Sequence, residues 1–442
     1  MVKIIKEKIN NLWKLKFVKD VFTLQIGSFV GTGLALVASV IYARVLGSEL
    51  YGNYALIFAF AGLVGIFMDW GVGYATLTLL SESYARGDRN EMKNILTYFL
   101  KSNLYIAIVI GILAIIFSPQ LSGLIYHRPE IGSFARLVIF ATILRTFLSL
   151  LMIMLQVLRK IKYLTIIENV NKFFLHGAPI TFVLLGFGLW GIVWGHFLTA
   201  FGFMFCSLWI YYHFATRNSL VSSLPEIIRN FPNVKISKYF KFGFSIAVDK
   251  NIANSFSLLP VIFLGALSSP EQVANLKIAI AYLALPKVFL GPIARLLQIQ
   301  LPKAKAASAN DLKSNYYKSA LYTGLTFIVL TILFLMIAPI LIKVFYGQQF
   351  ILSIKLVYVL SLGTIFAGFA VGYSSLYRTM NKMKTVITIN ITNLITGLLL
   401  FVISLQYTTA LKSTVVLIVY WSLFSLIVNF VALRKKLNKL EH

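Results

Sequence analysis

The feature that most constrains this chain is a series of long apolar runs separated by short polar breaks. A helix needs about 20 apolar residues to cross the hydrocarbon core of a bilayer, which is about 30 Å thick. Twelve runs reach that length, and they cover residues 21–43, 51–78, 95–117, 133–158, 165–187, 189–213, 240–264, 272–299, 316–340, 352–378, 385–405 and 410–433. Because 59% of the residues are hydrophobic and only 12% are charged, the composition excludes a water-soluble globule. The sequence therefore predicts an all-α polytopic membrane protein with about 12 transmembrane helices.

The net charge of +27 is distributed unevenly between alternate breaks. One set holds 25 lysine and arginine residues, at 1–20, 79–94, 159–164, 214–239, 300–315, 379–384 and 434–442. The other breaks hold only three, Arg44, Arg128 and Lys343. Lys and Arg in short loops remain on the cytoplasmic side, so the pattern places both termini in the cytoplasm and favours an even number of spans. The basicity therefore reflects topology and does not indicate a nucleic-acid partner.

The longest break, residues 214–239, divides the runs into six and six. We expect five regions: an interfacial or cytoplasmic segment 1–20, a lobe 21–213, a cytoplasmic linker 214–239, a lobe 240–433 and a basic cytoplasmic tail 434–442. The stretch "LGSELYGNYALI" after the first run is similar to "LGALSSPEQVANLKIAI" after the seventh. Because each half has an even number of crossings, the halves predict a parallel repeat with a pseudo-two-fold axis and a site near the middle of the membrane.

Three stretches resemble a known family: "RVLGSELYGNYAL" at 44–56, "MDWGVGYATLTLLSESYARGD" at 68–88 and "ISKYFKFGFS" at 236–245. They are similar to the polysaccharide transport branch of the multidrug/oligosaccharidyl-lipid/polysaccharide exporter superfamily, whose best-known members are the Wzx-type flippases. The resemblance covers nearly the whole chain. One departure is the seventh run, which lacks the proline expected after "KFGFS" and so leaves the bend of that helix open.

The resemblance implies a V-shaped pair of six-helix lobes in the cytoplasmic membrane of a bacterium or archaeon. It implies a flippase, not an enzyme, that moves undecaprenyl-pyrophosphate-linked oligosaccharide from the inner to the outer leaflet, as an O-antigen, capsule or exopolysaccharide repeat. The implied partners are this lipid-linked oligosaccharide, membrane lipids, a polysaccharide polymerase and a chain-length regulator. The chain has no GK dipeptide and hence no P-loop. We therefore expect no cofactor or metal, and an ion gradient (H⁺ or Na⁺) or removal of the flipped product as the energy source.

Charged residues inside the apolar runs carry the argument for function. One such residue at the centre of a lipid-exposed helix costs at least about 2.5–3.5 kcal/mol, so several in one protein should face an internal cavity. The basic members include Arg136, Arg145, Lys172, Lys250, Lys277, Lys287, Arg295 and Lys355, and the acidic members are Asp69, Glu168 and Asp249. This excess of cations predicts a cavity for an anionic cargo, in which lysine and arginine hold a pyrophosphate.

Three of these cations lie in the eighth run. Lys277 and Arg295 are 18 residues apart, close to five helical turns, and Lys287 lies about 80° away around the same helix. On one continuous helix they form a column of positive charge across the membrane, although Pro286 and Pro292 can kink it. Lys287 is too deep to snorkel and should line the cavity, whereas Arg295 either lines it or reaches the cytoplasmic interface.

The other candidates lie on separate helices. We expect Arg145 in the middle of the fourth run and Lys250 in the seventh run to line the cavity, with Lys250 free because its neighbour Asp249 points about 100° away. Arg136 lies on the opposite face from Arg145 and near the outer boundary, so we expect it to snorkel. Asp69 either binds a coupling cation or pairs with a basic residue, and the pair is favoured.

Glu168, Lys172 and His176 recur every four residues on one face of the fifth run. A carboxylate and an ammonium at this spacing predict an internal ion pair, which reduces the cost of burying both charges. We therefore interpret this stripe as structural.

Three other classes of function are less well supported. A cation-coupled multidrug exporter of the same superfamily is the leading alternative, but it requires an acidic pocket, and acids are outnumbered. A membrane polymerase or glycosyltransferase requires clustered catalytic residues in its loops, yet the longest outer break contains Glu130 as its single acid. The break 79–94 lacks the glycine, aspartate and paired-arginine arrangement of major facilitator carriers.

Overall fold

The computed structural model describes the backbone of residues 16–438, and the side chains from residue 29 onward except at positions 241, 242, 245, 246, 299 and 307. Most of the predicted interfacial segment 1–20 and the last four residues of the predicted tail 434–442 lie outside the described residues. All regular secondary structure in the described part is helical.

The α-helices are numbered along the chain, and two short π-helical turns interrupt them at Ala107–Ile112 and Val183–Phe187. The first eight are α1 Lys16–Met68, α2 Val72–Arg86, α3 Arg89–Ile106, α4 Leu113–Tyr126, α5 Pro129–Val157, α6 Ile161–Phe182, α7 Gly188–Arg217 and α8 Leu224–Arg229. The next eight are α9 Ser237–Leu267, α10 Pro270–Lys287, α11 Leu290–Ala307, α12 Ala309–Phe345, α13 Ile351–Thr364, α14 Tyr373–Thr379, α15 Met383–Leu405 and α16 Ala410–Asn438.

Within the described residues, eight helical segments are long and apolar enough to cross a membrane, or ten if each of two bent pairs forms one span. Two of the eight, Phe29–Met68 and Ile161–Arg217, each cover residues of two predicted runs. As a single helix the second would extend about 85 Å at 1.5 Å per residue, far more than the thickness of a bilayer. Gly47, with φ 76°, interrupts the first segment between its two runs, and Gly186 and Gly188, with φ 91° and 56°, interrupt the second where its two runs meet. The prediction of an all-α polytopic membrane protein is confirmed.

The chain forms two compact units. Unit 1 contains residues up to Ile41 and Ile57–Asn251, and unit 2 contains Tyr42–Leu56 and the residues from Ile252 onward. This division differs from the predicted lobes in two places. The segment Tyr42–Leu56 belongs with the later half of the chain, and the boundary falls inside α9 instead of in the loop 214–239. The six-plus-six repeat stays a prediction.

The loop 214–239, which we expected to be a linker, packs on unit 1. Lys101 Nζ donates to the carbonyl oxygens of Phe231 and Val234 at 2.7 and 2.8 Å, and Tyr211 donates its hydroxyl to Ser222 O at 2.9 Å. The buried side chain of Asn230 donates to Asn94 and Thr97 of α3. These bonds satisfy the loop's backbone groups and make it part of the core around Tyr98, Phe99, Leu151 and Tyr211.

Polar contacts between helices also hold unit 2. Asn275 Oδ1 on α10 accepts from the Ser353 backbone N–H and hydroxyl of α13, at 3.0 and 2.9 Å. Asn393 and Trp421 exchange side-chain to backbone hydrogen bonds between α15 and α16. Gly52 lies so close to α10 that a Cβ there would be 2.0 Å from Pro270 O. The glycine therefore permits the close approach of α1 to α10.

The eighth predicted span is not a continuous helix. It is divided into α10 and α11, which meet at an angle of 54° after Lys287. Pro292 has no N–H to donate to the carbonyl of Val288. Around the bend, backbone hydrogen bonds join residues three positions apart, as in a 3₁₀-helix; the Phe289 N–H, for example, donates to Pro286 O at 3.2 Å. The projection of Lys277, Lys287 and Arg295 onto one helix is therefore wrong. By contrast, α9 runs without a break through the "KFGFS" stretch, where the family proline is missing.

Candidate functional site

A cavity of about 590 Å³, lined by both apolar and polar side chains, lies in unit 1. It is bounded by α1, α2, α3, α5 and α9. The lining residues are Gly65, Met68, Asp69, Gly73, Tyr74, Leu77, Phe99, Asn103, Ile106, Ala107, Thr142, Arg145, Thr146, Leu148, Ser149, Met152, Ile153, Gln156 and Lys250. The structure therefore brings three of the predicted site residues, Asp69, Arg145 and Lys250, into one cavity.

The break between α1 and α2 places Asp69 in the cavity wall. Gly71 adopts φ 71°, a left-handed conformation, and its N–H donates to Asp69 Oδ1 at 3.0 Å. A Cβ at Gly71 would lie 2.0 Å from Gly243 O, so the close approach of α9 requires glycine here. Asn251 Nδ2 donates to the carbonyls of Ile66 and Asp69 at the broken helix end, at 3.1 and 2.8 Å. These bonds fix the break without closing the cavity.

Asp69 and Lys250 form an ion pair in the cavity. Lys250 Nζ is 2.6 Å from Asp69 Oδ2, and the two side chains remain 41% and 28% exposed. The ammonium also lies 5.2 Å from the centre of the Tyr74 ring. Lys250 thus lines the cavity, but the expectation that it is free is wrong, because α9 approaches the α1–α2 break closely enough for this contact. Asp249, its neighbour, does not line the cavity.

One face of α5 supplies most of the cavity's polar groups. Thr142, Arg145, Thr146, Ser149 and Gln156 are spaced at three, four or seven residues and so share one side of the helix. The Thr142 and Ser149 hydroxyls donate to carbonyls of their own helix, at 3.0 and 3.1 Å. Their oxygens therefore present acceptor lone pairs to a ligand.

Arg145 is the cation of this face that has no anionic partner among the described residues. Its Nη2 is 3.5 Å from His196 Nδ1, a ring nitrogen that brings no negative charge. The charged side chains that line the cavity are Asp69, Arg145 and Lys250, which together give a formal charge of +1. The cavity can therefore receive an anion beside a guanidinium that still has donors available.

Arg136 forms hydrogen bonds to a neighbouring helix. Its Nε donates to Ile115 O at 2.8 Å and its Nη2 donates to Ile116 O at 3.0 Å, both on α4. Pro119 cannot donate to the carbonyl of Ile115, four residues earlier, so the arginine satisfies an acceptor that the proline leaves open. That Arg136 snorkels to the outer interface stays a prediction.

Glu168 and Lys172 pair outside this cavity, as their spacing predicted. Lys172 Nζ is 2.6 Å from Glu168 Oε1 on the same helix. The Lys172 stem packs against Gly31 of α1, where a Cβ would be 2.7 Å from Lys172 Cδ. These contacts are consistent with a structural role.

The three cations of the eighth span belong to unit 2 and have separate environments. Lys277 on α10 and Arg295 on α11 are half-buried, and Lys287 at the end of α10 is exposed. Arg295 Nη1 is buried and has no hydrogen-bond partner among the described residues. Their role in binding substrate stays a prediction.

The sequence reasoning missed Asn251, the residue that holds the broken end of α1. A signal was present, because Asn251 directly follows Asp249 and Lys250 and makes three consecutive polar residues in an apolar helix. Its partners are more than 180 residues away in the chain, so spacing could not identify them.

The fold defines the class of protein. It matches an inward-facing multidrug resistance MATE family transporter of the MOP superfamily with a TM-score of 0.72, at 16% identity over 93% of this chain and 95% of that one. It matches the lipid II flippase MurJ in an inward closed conformation with a TM-score of 0.72, at 14% identity over 94% and 89%. A eukaryotic MATE transporter matches at a TM-score of 0.68 and 16% identity, over 96% and 98%. The chain therefore has the fold of the MOP exporters.

The family is shown by sequence. The family model of the polysaccharide biosynthesis proteins matches residues 17–297, more than half of the chain. The chain belongs to this family of multi-pass membrane proteins. A comparison with curated proteins gives no significant match.

Proposed function

We propose that this protein is a flippase that moves undecaprenyl-pyrophosphate-linked oligosaccharide from the inner to the outer leaflet of the cytoplasmic membrane by alternating access. The observation that carries the proposal is the unit 1 cavity, which has a net positive charge and contains an arginine without an anionic partner among the described residues. Membership of the polysaccharide biosynthesis family and the fold shared with the flippase MurJ support the same class of cargo.

The chemistry of the cavity suits the two polar parts of such a substrate. A guanidinium binds phosphate through two parallel N–H donors, so Arg145 is the group that would hold the pyrophosphate. The acceptor oxygens of Thr142 and Ser149, with the amides of Asn103 and Gln156, suit the hydroxyl groups of a glycan. The prenyl chain needs no polar site and would remain in lipid.

Lys250 would assist only when the substrate competes with Asp69. The two residues neutralise each other at 2.6 Å, but an ammonium has three donors and this one is partly exposed. A pyrophosphate beside Arg145 could share Lys250 with Asp69. The coupling ion, H⁺ or Na⁺, would then act at the carboxylate.

The alternative, a cation-coupled multidrug exporter, receives support from the MATE fold and from the carboxylate in the cavity. A cationic drug would need that carboxylate free. Because Asp69 is paired with Lys250 and the cavity is positive overall, the electrostatics favour an anionic cargo.

The test is flipping of a fluorescent undecaprenyl-pyrophosphate glycan in liposomes, comparing the unmodified chain with Arg145→Ala and Arg145→Lys. We expect Arg145→Ala to lower the rate by 10-fold or more, since one lost charge-assisted contact costs about 1.5–3 kcal/mol. Arg145→Lys should retain part of the rate. Lys412→Ala, which removes an exposed cation of α16, is the control and should have no effect. Unchanged flipping in Arg145→Ala would contradict the assignment.

A further inference from the structure

A second cavity of unit 1, of about 510 Å³, lies between α6 and α7 and shares no lining residue with the candidate site. Its walls are apolar and aromatic. The Trp209 side chain is 71% exposed and that of Tyr163 is 53% exposed, and Ile166 and Ile210 continue the same wall. In a membrane-spanning helix pair, surface of this kind contacts hydrocarbon. We call this cavity the α6–α7 groove.

The rings that form the wall of the groove are ordered against each other. Trp209 and His213 are one turn apart on α7, and their rings stack with centres 6.3 Å apart at 20°. Tyr163 of α6 meets Phe214 of α7 edge to face at 5.8 Å. The stacked rings of Trp209 and His213 therefore give the groove a flat aromatic surface along one side.

One end of the α6–α7 groove is cationic. Lys160 and Arg217 line it together with His213, and the groove has no acidic lining residue. Neither Lys160 nor Arg217 forms an ion pair within the described part of the chain. The formal charge at this end is therefore +2 with a neutral histidine.

The two cations lie where the sequence places the cytoplasmic surface. Lys160 precedes α6 in the basic break 159–164, and Arg217 ends α7 in the break 214–239. This arrangement matches a phospholipid. Its phosphate would lie at the cationic end of the groove, at the membrane interface, and its acyl chain would lie along the apolar wall. Basic pockets between helices on the cytoplasmic side bind anionic headgroups.

We propose that the α6–α7 groove binds an anionic phospholipid of the cytoplasmic leaflet, with its headgroup phosphate between Lys160 and Arg217 and an acyl chain along Trp209. The unmatched charge of +2 selects an anionic over a zwitterionic headgroup. This site is separate from the proposed transport site and does not depend on flippase activity.

The test uses brominated acyl chains, which quench a tryptophan that they touch. The chain and its Trp209→Phe variant are reconstituted in phosphatidylcholine with dibrominated phosphatidylglycerol or dibrominated phosphatidylcholine, and the difference between the two proteins isolates Trp209. We expect phosphatidylglycerol to bind about 25-fold more tightly than phosphatidylcholine, since each of the two basic side chains near the membrane surface contributes about five-fold.

Lys160→Gln with Arg217→Gln should reduce this preference to near one. The matched control is Arg159→Gln with Lys162→Gln, which removes the same charge from neighbouring positions that do not line the groove and should keep the preference. Equal quenching by both lipids in the unmodified chain would overturn the proposal, as would an equal loss in both double variants.

Undecaprenyl phosphate added to the same bilayers distinguishes the source of the phosphate. We expect it not to displace phosphatidylglycerol at equal amounts, and displacement would overturn the phospholipid assignment. The quenching experiment does not measure flipping, so a negative result would not contradict the proposed transport function. Failure of the flipping test, in turn, would not contradict lipid binding in the α6–α7 groove.

Discussion

Three of the cations inside the predicted spans of unit 1 show three different kinds of partner. Arg136 donates to backbone carbonyls, Lys250 pairs with a carboxylate, and Arg145 faces a histidine ring nitrogen. A buried charge is tolerated when hydrogen bonds or an opposite charge compensate it. Arg145 is the member of this set that remains available for an anionic ligand.

The role of Arg136 predicts a stability effect that Pro119 controls. Arg136→Met should lower the stability of the protein by about 1–3 kcal/mol, because the carbonyl of Ile115 loses its donor. Adding Pro119→Ala restores an N–H at position 119 and should recover part of the loss. Thermal unfolding in detergent measures both variants. Equal stability of Arg136→Met and the unmodified chain would show that the bond contributes nothing.

The ion pair of Asp69 and Lys250 predicts that a protein with only one of these two charges is less stable than a protein with neither. Lys250→Met leaves the Asp69 carboxylate without a cation and should destabilise unit 1. Breaking a fully buried ion pair costs about 3–5 kcal/mol. The loss here should be smaller, because both side chains are partly exposed. Lys250→Met combined with Asp69→Asn should be more stable than Lys250→Met alone. Thermal unfolding of the two variants gives the order, and the reverse order would exclude the pair as the dominant contact.

At the scale of elements, glycines decide where helices break and approach each other. Gly71 ends the α1–α2 break in the left-handed region and touches the backbone of α9. Gly65, four residues before Asp69, lines the same cavity on a regular helix with open space around it. The two glycines therefore form a matched pair for substitution.

We predict that Gly71→Ala destabilises the protein and Gly65→Ala does not. The first variant strains a positive φ, which costs about 1–3 kcal/mol, and pushes α9 away from the break. The second replaces a helical glycine by alanine and should be neutral or stabilising by up to about 1 kcal/mol. Melting temperatures of the two variants decide this, and similar losses in both would contradict the special role of Gly71.

Local patterns explain which elements the sequence could predict. The ion pair of Glu168 and Lys172 follows from a four-residue spacing on one helix, whereas Asp69 and Lys250 are 181 residues apart and meet only through tertiary packing. The prolines of the eighth span indicated a bend. The position of the bend, after Lys287, depends on how α10 and α11 pack. The predicted column of positive charge assumed one straight helix and was therefore wrong.

At the scale of the whole molecule, hydrophobic length was the most informative signal. All twelve predicted runs are largely helical, because a bilayer imposes both apolar composition and internal hydrogen bonding on a spanning chain. The second, eighth and tenth runs each contain a break between helices. The division into units was harder to predict. Tyr42–Leu56 joins unit 2 through contacts such as those of Arg44 with Val344 and Phe345, about 300 residues away.

The proposed transport cycle requires that the cavity recognise the pyrophosphate and not merely the glycan. The most direct measurement compares flipping of two fluorescent lipids in liposomes that contain the protein: a prenyl-pyrophosphate glycan and the same glycan on the same prenyl chain without phosphate. We predict that the pyrophosphate lipid flips at least 10-fold faster and that Arg145→Met abolishes most of this difference. Equal rates for both lipids, or exchange of a cationic drug for protons without lipid movement, would contradict the account.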